Sequence, residues 1–199
     1  MVNAVILIMT GIVLAGGENS RMGSDKAFLK LDGVTMIERV LLALHTIADQ
    51  IIVVTNSPQR YGDFDARVVT DKVSKRGPLT GIYSGLVSSK DEYNFIVACD
   101  MPFLEHRLIS YMTELTGGYD IVVPCMQGRM EPLHAIYSKQ LLPVIEKRLQ
   151  ENVQQLQGLF SEARIRQVTE EEIDRFDPKR RSFININTPE EYKEALCLD

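Results

Sequence analysis

Residues 11–26, Gly-Ile-Val-Leu-Ala-Gly-Gly-Glu-Asn-Ser-Arg-Met-Gly-Ser-Asp-Lys, constrain the fold more than any other stretch. Ile12, Val13, Leu14 and Ala15 make a short, partly β-branched apolar run, the pattern of a strand covered on both faces. It stops at Gly16 and Gly17, where the missing Cβ lets backbone amides approach a ligand. Consecutive amides in such a turn form a concavity for anions. Arg21 adds a forked donor and Lys26 a point charge, both suited to phosphate oxygens. A double glycine alone could simply turn a strand into a loop; Arg21, Gly23 and Lys26 in this order point instead to a polyphosphate cradle.

Two familiar phosphate loops are excluded by spacing. A Walker A loop needs a lysine directly after its last glycine, but Ser24 and Asp25 separate Gly23 from Lys26. Glycines at 16, 17 and 23 do not fit the G-x-G-x-x-G dinucleotide fingerprint either. The pattern L-A-G-G-x-x-S-R-M-G-x-D-K closely resembles the signature of the nucleotidyltransferases that build molybdopterin guanine dinucleotide, the molybdenum cofactor guanylyltransferases.

Downstream, short apolar strands alternate with amphipathic helices. Asp32-Gly33 is a turn signal. Thr35 and Glu38 form a capping box ahead of Ile37, Val40, Leu41, Leu44 and Ile47 at helical spacing. Strands are expected over 51–55, 67–70, 93–98 and 119–124, with helices after Gly77-Pro78 and over 104–115. This alternation indicates a parallel sheet with covering helices, in which ligands sit beyond the carboxyl ends of the strands. Asn56 and Asp71 stand at two such ends, though both types are also common where a strand gives way to a turn. Asp100, in Cys99-Asp100-Met101-Pro102, stands at a third. A lone carboxylate there suits magnesium, which takes one or two carboxylates and fills its other positions with water and substrate phosphate. A turn aspartate or helix cap is the alternative reading.

At the carboxyl-terminal side, Gln127-Gly-Arg-Met reads as a turn, and residues 139–151 and 153–160 as two helices divided near Asn152. Residues 169–181 are charge-dense, a solvated short helix and loop. Thr188, Pro189 and Glu191 make a capping box that opens a last helix. His134 reads as a packed strand residue as readily as a ligand, His45 as a structural or exposed residue of an amphipathic helix, and His106, near a helix start, has no evident partner.

Composition narrows the class. A net charge of −5 argues against nucleic acid as the main partner. Cys99, Cys125 and Cys197 are widely spaced with no C-x-x-C pair, as in a cytoplasmic protein with reduced thiols. No apolar run reaches membrane-spanning length. Residues 1–8 are apolar without a cationic lead or a cleavage site, so they read as an extension that lengthens the first strand or hangs loose rather than as a signal peptide. With 199 residues, no repeats and no linker, one domain is expected, its nucleotide half at about 9–100 and its acceptor half at about 101–199.

The resemblance covers Gly11 to about Leu196. It implies a three-layer α/β/α fold with a mostly parallel, Rossmann-like twisted sheet of the nucleotidyltransferase and glycosyltransferase-A type. It implies that Leu14, Ala15, Gly16, Gly17, Lys26, Asn56, Asp71, Gly77, Pro78 and Asp100 contact the nucleotide. Asp100 also holds Mg²⁺, and Arg21, Lys26 and Asp100 carry the chemistry. Arg129, His134, Asn185 and Asn187 then belong to the acceptor side. The implied reaction moves GMP from GTP to the terminal phosphate of molybdopterin, with or without its molybdenum, and releases pyrophosphate. The chain would work as a monomer, away from nucleic acid and membranes, with other molybdenum-cofactor biosynthesis proteins and molybdoenzymes as further partners. The G-P-L-x-G segment at 77–81 favours GTP over CTP. The rivals are a CTP-dependent molybdopterin cytidylyltransferase, a sugar-phosphate nucleotidyltransferase and a non-catalytic GTP-binding regulatory module.

Overall fold

The computed structural model describes residues 9–16, 26–71, 77–153 and 155–198. Gly17, Arg21 and Gly23 of the glycine-rich loop lie outside the described residues, as do residues 1–8. Along the chain run β1 (Thr10–Leu14), β2 (Lys30–Leu31), β3 (Val34–Thr35), α1 (Met36–Leu44), β4 (Gln50–Val54), β5 (Arg67–Val69), α2 (Pro78–Ser88) and β6 (Tyr93–Ala98). They are followed by α3 (His106–Glu114), β7 (Ile121–Met126), β8 (Arg129–Met130), β9 (His134–Ser138), α4 (Leu142–Gln150), α5 (Leu156–Phe160), β10 (Ile165–Val168), α6 (Glu170–Asp174) and α7 (Pro189–Ala195).

Every residue of β1 is buried, as its unbroken apolar run requires. It lies between β4 and β6, parallel to both, with Leu14 level with Val54 on one side and Ala98 on the other. The full order is β10-β7-β9-β6-β1-β4-β5, with β8 folded back on β7. Successive strand residues point to opposite faces. Val13, Val53, Phe95, Val97, Val122 and Ile136 meet α1, α3 and Ile173 of α6 on one face. Ile12, Ile52, Ile96, Val123 and Ala135 meet α2, α4 and α5 on the other. The result is a mostly parallel sheet between two helical layers.

Local chemistry sets the element ends. Asp32 and Gly33, at φ 47° and 83°, make the two-residue turn between β2 and β3. Thr35 Oγ1 accepts the Glu38 amide at 3.3 Å while Glu38 Oε2 accepts the Thr35 amide at 2.7 Å, closing the expected capping box of α1. Asn152 adopts φ 62° and parts α4 from α5.

Two features of the sheet go beyond what the alternating sequence pattern gives. Strand β9 runs antiparallel to both β6 and β7. Strand β10 pairs in parallel with β7 at the sheet edge; its centre, Arg166-Gln167, carries no apolar periodicity to announce it.

From β1 the chain moves outward to β4 and β5, then returns to β6 on β1's other side. A crevice opens beyond the carboxyl ends of two strands where connections diverge in this way. Helix α2 closes one wall by lying unusually near β1. A Cβ added to Gly85 would stand 2.6 Å from Ile12 Cγ2, and one added to Gly81 would stand 3.2 Å from Leu14 Cδ2.

Candidate active site

The crevice is a cleft of about 920 Å³, the size range of small-molecule sites. One wall comes from the parallel half: Leu14, Ala15 and Gly16 after β1, Thr55 and Asn56 after β4, Asp71 after β5, and Gly77, Pro78 and Gly81 at the start of α2. Facing it are Ala98, Cys99 and Asp100 after β6, Glu131 and Leu133 before β9, and Asn185 and Asn187 ahead of α7. Lys26 also lines the cleft.

Asn56 and Asp71 arrive from neighbouring strands and meet. Asn56 Nδ2 donates to Asp71 Oδ2 at 2.9 Å, and the Ser84 hydroxyl on α2 lies 3.5 Å from Asp71 Oδ1. Gly77 caps α2 at φ 143°, a conformation that favours glycine, and Pro78 takes a first-turn position where no amide is needed. An 11-residue helix thus directs its amino end at the cleft.

Asp100 follows β6 by two residues. The Cys99 amide bonds to Leu14 O at 3.1 Å, so the turn carrying the acid is tied to the strand that enters the glycine loop. Burial pushes the Asp100 carboxyl above its ordinary range; Lys26 opposes that shift, and Glu191 adds to it. Lys26 Nζ stands 3.9 Å from Asp100 Oδ2. The other oxygen, Oδ1, is buried and has no hydrogen-bond partner among the described residues. Glu131 is raised as well, by burial first and by the charge of Asp100 among the rest. Two carboxyls whose ionised forms are both disfavoured by burial, beside a lysine, form a site that gains from added positive charge.

The MobA-like NTP transferase domain matches residues 11–170 of this chain. The chain belongs to that family. The molybdenum cofactor guanylyltransferase of Desulfosudis oleivorans is 42% identical over 192 residues, covering 94% of each chain. The probable molybdenum cofactor guanylyltransferase of Methanosarcina mazei is 36% identical over 200 residues, 94% of this chain and 89% of its own. Among solved structures, the molybdopterin-guanine dinucleotide biosynthesis protein A of Archaeoglobus fulgidus superposes with a TM-score of 0.85 at 24% identity, covering 96% of this chain and 98% of that one. The 4-diphosphocytidyl-2C-methyl-D-erythritol synthase of Anaerococcus prevotii, at 15% identity and a TM-score of 0.71, shares the fold.

Magnesium, the cation that the MobA-like resemblance implies, fits this donor set. Asp100 supplies one carboxylate with an oxygen to spare. Among the described residues no group of three or more His, Cys, Asp or Glu could form a closed metal cage. Magnesium needs none, because water and substrate phosphate complete its shell.

Two of the MobA-like chain's expected acceptor residues stand elsewhere. His134 is fully buried, with its ring 5.0 Å from Phe95 and 4.8 Å from Phe183. Its acceptor role is withdrawn, and the packed-residue reading describes its place. The reason is strand parity. Leu133 faces the cleft, so the next residue points through the sheet into the opposite layer. Arg129 is exposed on β8 and is not on the cleft wall. Glu131 and Leu133 do line it, although the sequence singles out neither side chain. Their signal was an acid and a proline just ahead of an apolar strand whose direction the sequence does not reveal.

Proposed function

We propose that this chain transfers GMP from GTP to the terminal phosphate of molybdopterin, releasing pyrophosphate and forming molybdopterin guanine dinucleotide. One observation carries the reading. Gly16 after β1, Lys26 and Asp100 share one cleft at the switch point of the sheet, in a MobA-like chain. The names of the relatives support guanylyl transfer over the cytidylyl and sugar-phosphate alternatives.

In this reading the base lies between the Asn56–Asp71 pair and the Gly77-Pro78 end of α2, and the triphosphate runs over residues 14–26. Asp71 presents a carboxylate to base N–H donors, and Asn56 keeps it turned to the cleft. The attacking phosphate of the acceptor is already anionic near neutral pH, so no side chain need remove a proton. Catalysis is positioning plus charge neutralisation. Lys26, and Arg21 with it, steadies the departing pyrophosphate. Asp100 would hold Mg²⁺, which when bound offsets the negative charge of the reacting phosphates.

We read the chain as one domain that acts as a cytoplasmic monomer. The three cysteines are free, and among the described residues no helix is long and apolar enough to cross a membrane. The test is incubation with molybdopterin, Mg²⁺ and either GTP or CTP, with mass analysis of the product. A guanine dinucleotide is expected. A cytosine dinucleotide overturns the base assignment, and tight GTP binding without turnover supports a regulatory module.

A further inference from the structure

Asn187 makes the shortest contact that Lys26 has among the described residues. Lys26 Nζ donates to Asn187 Oδ1 at 2.7 Å across 161 positions of sequence, while the same ammonium stands 3.9 Å from Asp100 Oδ2. A closed charge-assisted contact between ammonium and carboxylate spans about 2.7–2.9 Å. Lys26 is therefore held short of pairing fully with the acid beside it. A lysine on a flexible stem, next to a half-buried carboxylate, would otherwise fold onto it and cancel both charges.

The support behind Asn187 is rigid. Its own amide donates to Glu191 Oε2 at 2.6 Å, as does that of Thr188 at 3.0 Å, and Thr188 Oγ1 accepts the Glu191 amide at 3.1 Å. The preceding Ile186 amide donates to Asp100 O at 3.0 Å, and the Ile186 side chain is buried with Leu31, Met36 and Ala195. The segment is thus pinned to the Asp100 turn, to the first turn of α7 and to the hairpin that follows Lys26. A group held this way is preorganised.

We infer that Asn187 is a positioning residue for the phosphate-binding lysine rather than an acceptor contact: its neutral carbonyl parks the Lys26 ammonium between Asp100 and the triphosphate path. The inference rests on the reading of Lys26 as a phosphate contact. Neutrality matters, since a carboxylate at 187 would pair with Lys26 and repel the nucleotide.

Titration of Mg·GTP without acceptor, on wild type, Asn187→Ala, Asn187→Asp, Lys26→Ala and the Lys26→Ala/Asn187→Ala double variant, decides the matter. Asn187→Ala should weaken GTP binding about tenfold, the scale of one charge-assisted hydrogen bond. Asn187→Asp, which keeps shape and reports even if the alanine variant folds poorly, should weaken it more. The double variant should bind as Lys26→Ala does. Wild-type GTP affinity in Asn187→Ala with a raised KM for molybdopterin overturns the inference, as does a loss that adds in full to that of Lys26→Ala. Wild-type GTP affinity in Lys26→Ala is a separate result: it removes the lysine from phosphate binding and the inference with it.

Discussion

The two halves of the sheet present the cleft with opposite ends of their strands. In the parallel half, β1, β4, β5 and β6 all run toward it, so the residues just after each strand line it: Gly16, Asn56, Asp71 and Asp100. In the mixed half, β9 runs away from it, and the residues just before that strand, Glu131 and Leu133, form the wall. One rule of position therefore serves one half and fails in the other. The difference teaches that strand direction, more than residue type, decides which side chains a cleft receives.

The largest effect should come from the parallel half. Asp100→Ala is expected to cut pyrophosphate release by at least about a thousandfold, the scale of losing a main centre of charge neutralisation, and to leave the fold intact. Burial holds the Asp100 carboxyl above its ordinary range, so the folded state keeps its proton to higher pH than the unfolded chain does. Ionised Asp100 then weighs against folding at neutral pH. Removing it should preserve or raise Tm, read by thermal denaturation beside the rate. Normal magnesium-dependent turnover in the variant takes Asp100 out of the mechanism.

Lys26→Ala should follow, with a loss of about 100- to 1000-fold in turnover, or about 3–4 kcal/mol of transition-state stabilisation. Steady-state kinetics that show less than tenfold would make Lys26 peripheral, and the nucleotide side would then depend on backbone amides and the end of α2.

How much of this could be read from the chain alone follows the same division. The strand-to-glycine passage, the capping box at Thr35 and Glu38, and the aspartate after β6 are local patterns that parallel-sheet connectivity repeats. They were legible because each side chain's place depends only on neighbours within a few residues. The direction of β9 is set by pairing with β6 and β7, far away in sequence, and the face that His134 takes is set by its parity in that strand, so the sequence left its packed and acceptor readings both open. Strand β10 went unread because it is recruited by β7 despite a polar centre. The grip of Asn187 on Lys26 was beyond any local pattern, since it joins the two ends of the chain.

A smaller effect should come from the scaffold of the parallel half. Gly85→Ala places a Cβ 2.6 Å from Ile12 Cγ2, a fully buried side chain in the centre of the sheet. Helix propensity favours alanine by about 1 kcal/mol, but overpacking a closed interface costs about 1–3 kcal/mol, and Ile12 has little room to move. The balance should lower stability by about 1 kcal/mol, or about 2–4 °C in Tm. GTP affinity should fall with it, because α2 would lift its amino end from the cleft. An unchanged Tm would show that the contact of α2 with β1 yields more easily than its spacing suggests.

The smallest effect belongs to the mixed half and tests whether His134 is only packing. Burial pushes its imidazole down to about 3 from an ordinary 6.5, so the fold favours the neutral ring near pH 7. The unfolded chain takes up a proton below about 6.5 and the folded chain does not. Stability from this residue is therefore complete above pH 6.5 and drains away as the pH falls from there toward 3. Neither ring nitrogen has a hydrogen-bond partner among the described residues, so an apolar side chain forfeits no polar contact and loses only the ring contacts with Phe95 and Phe183. His134→Leu should leave turnover and both substrate affinities unchanged and shift stability at pH 7 by less than about 1 kcal/mol. It should also flatten the decline in Tm between pH 6.5 and 4.5. A raised KM for molybdopterin in that variant would return His134 to the acceptor side. An acid limb as steep as that of the wild type would mean that some other group takes up the proton on unfolding.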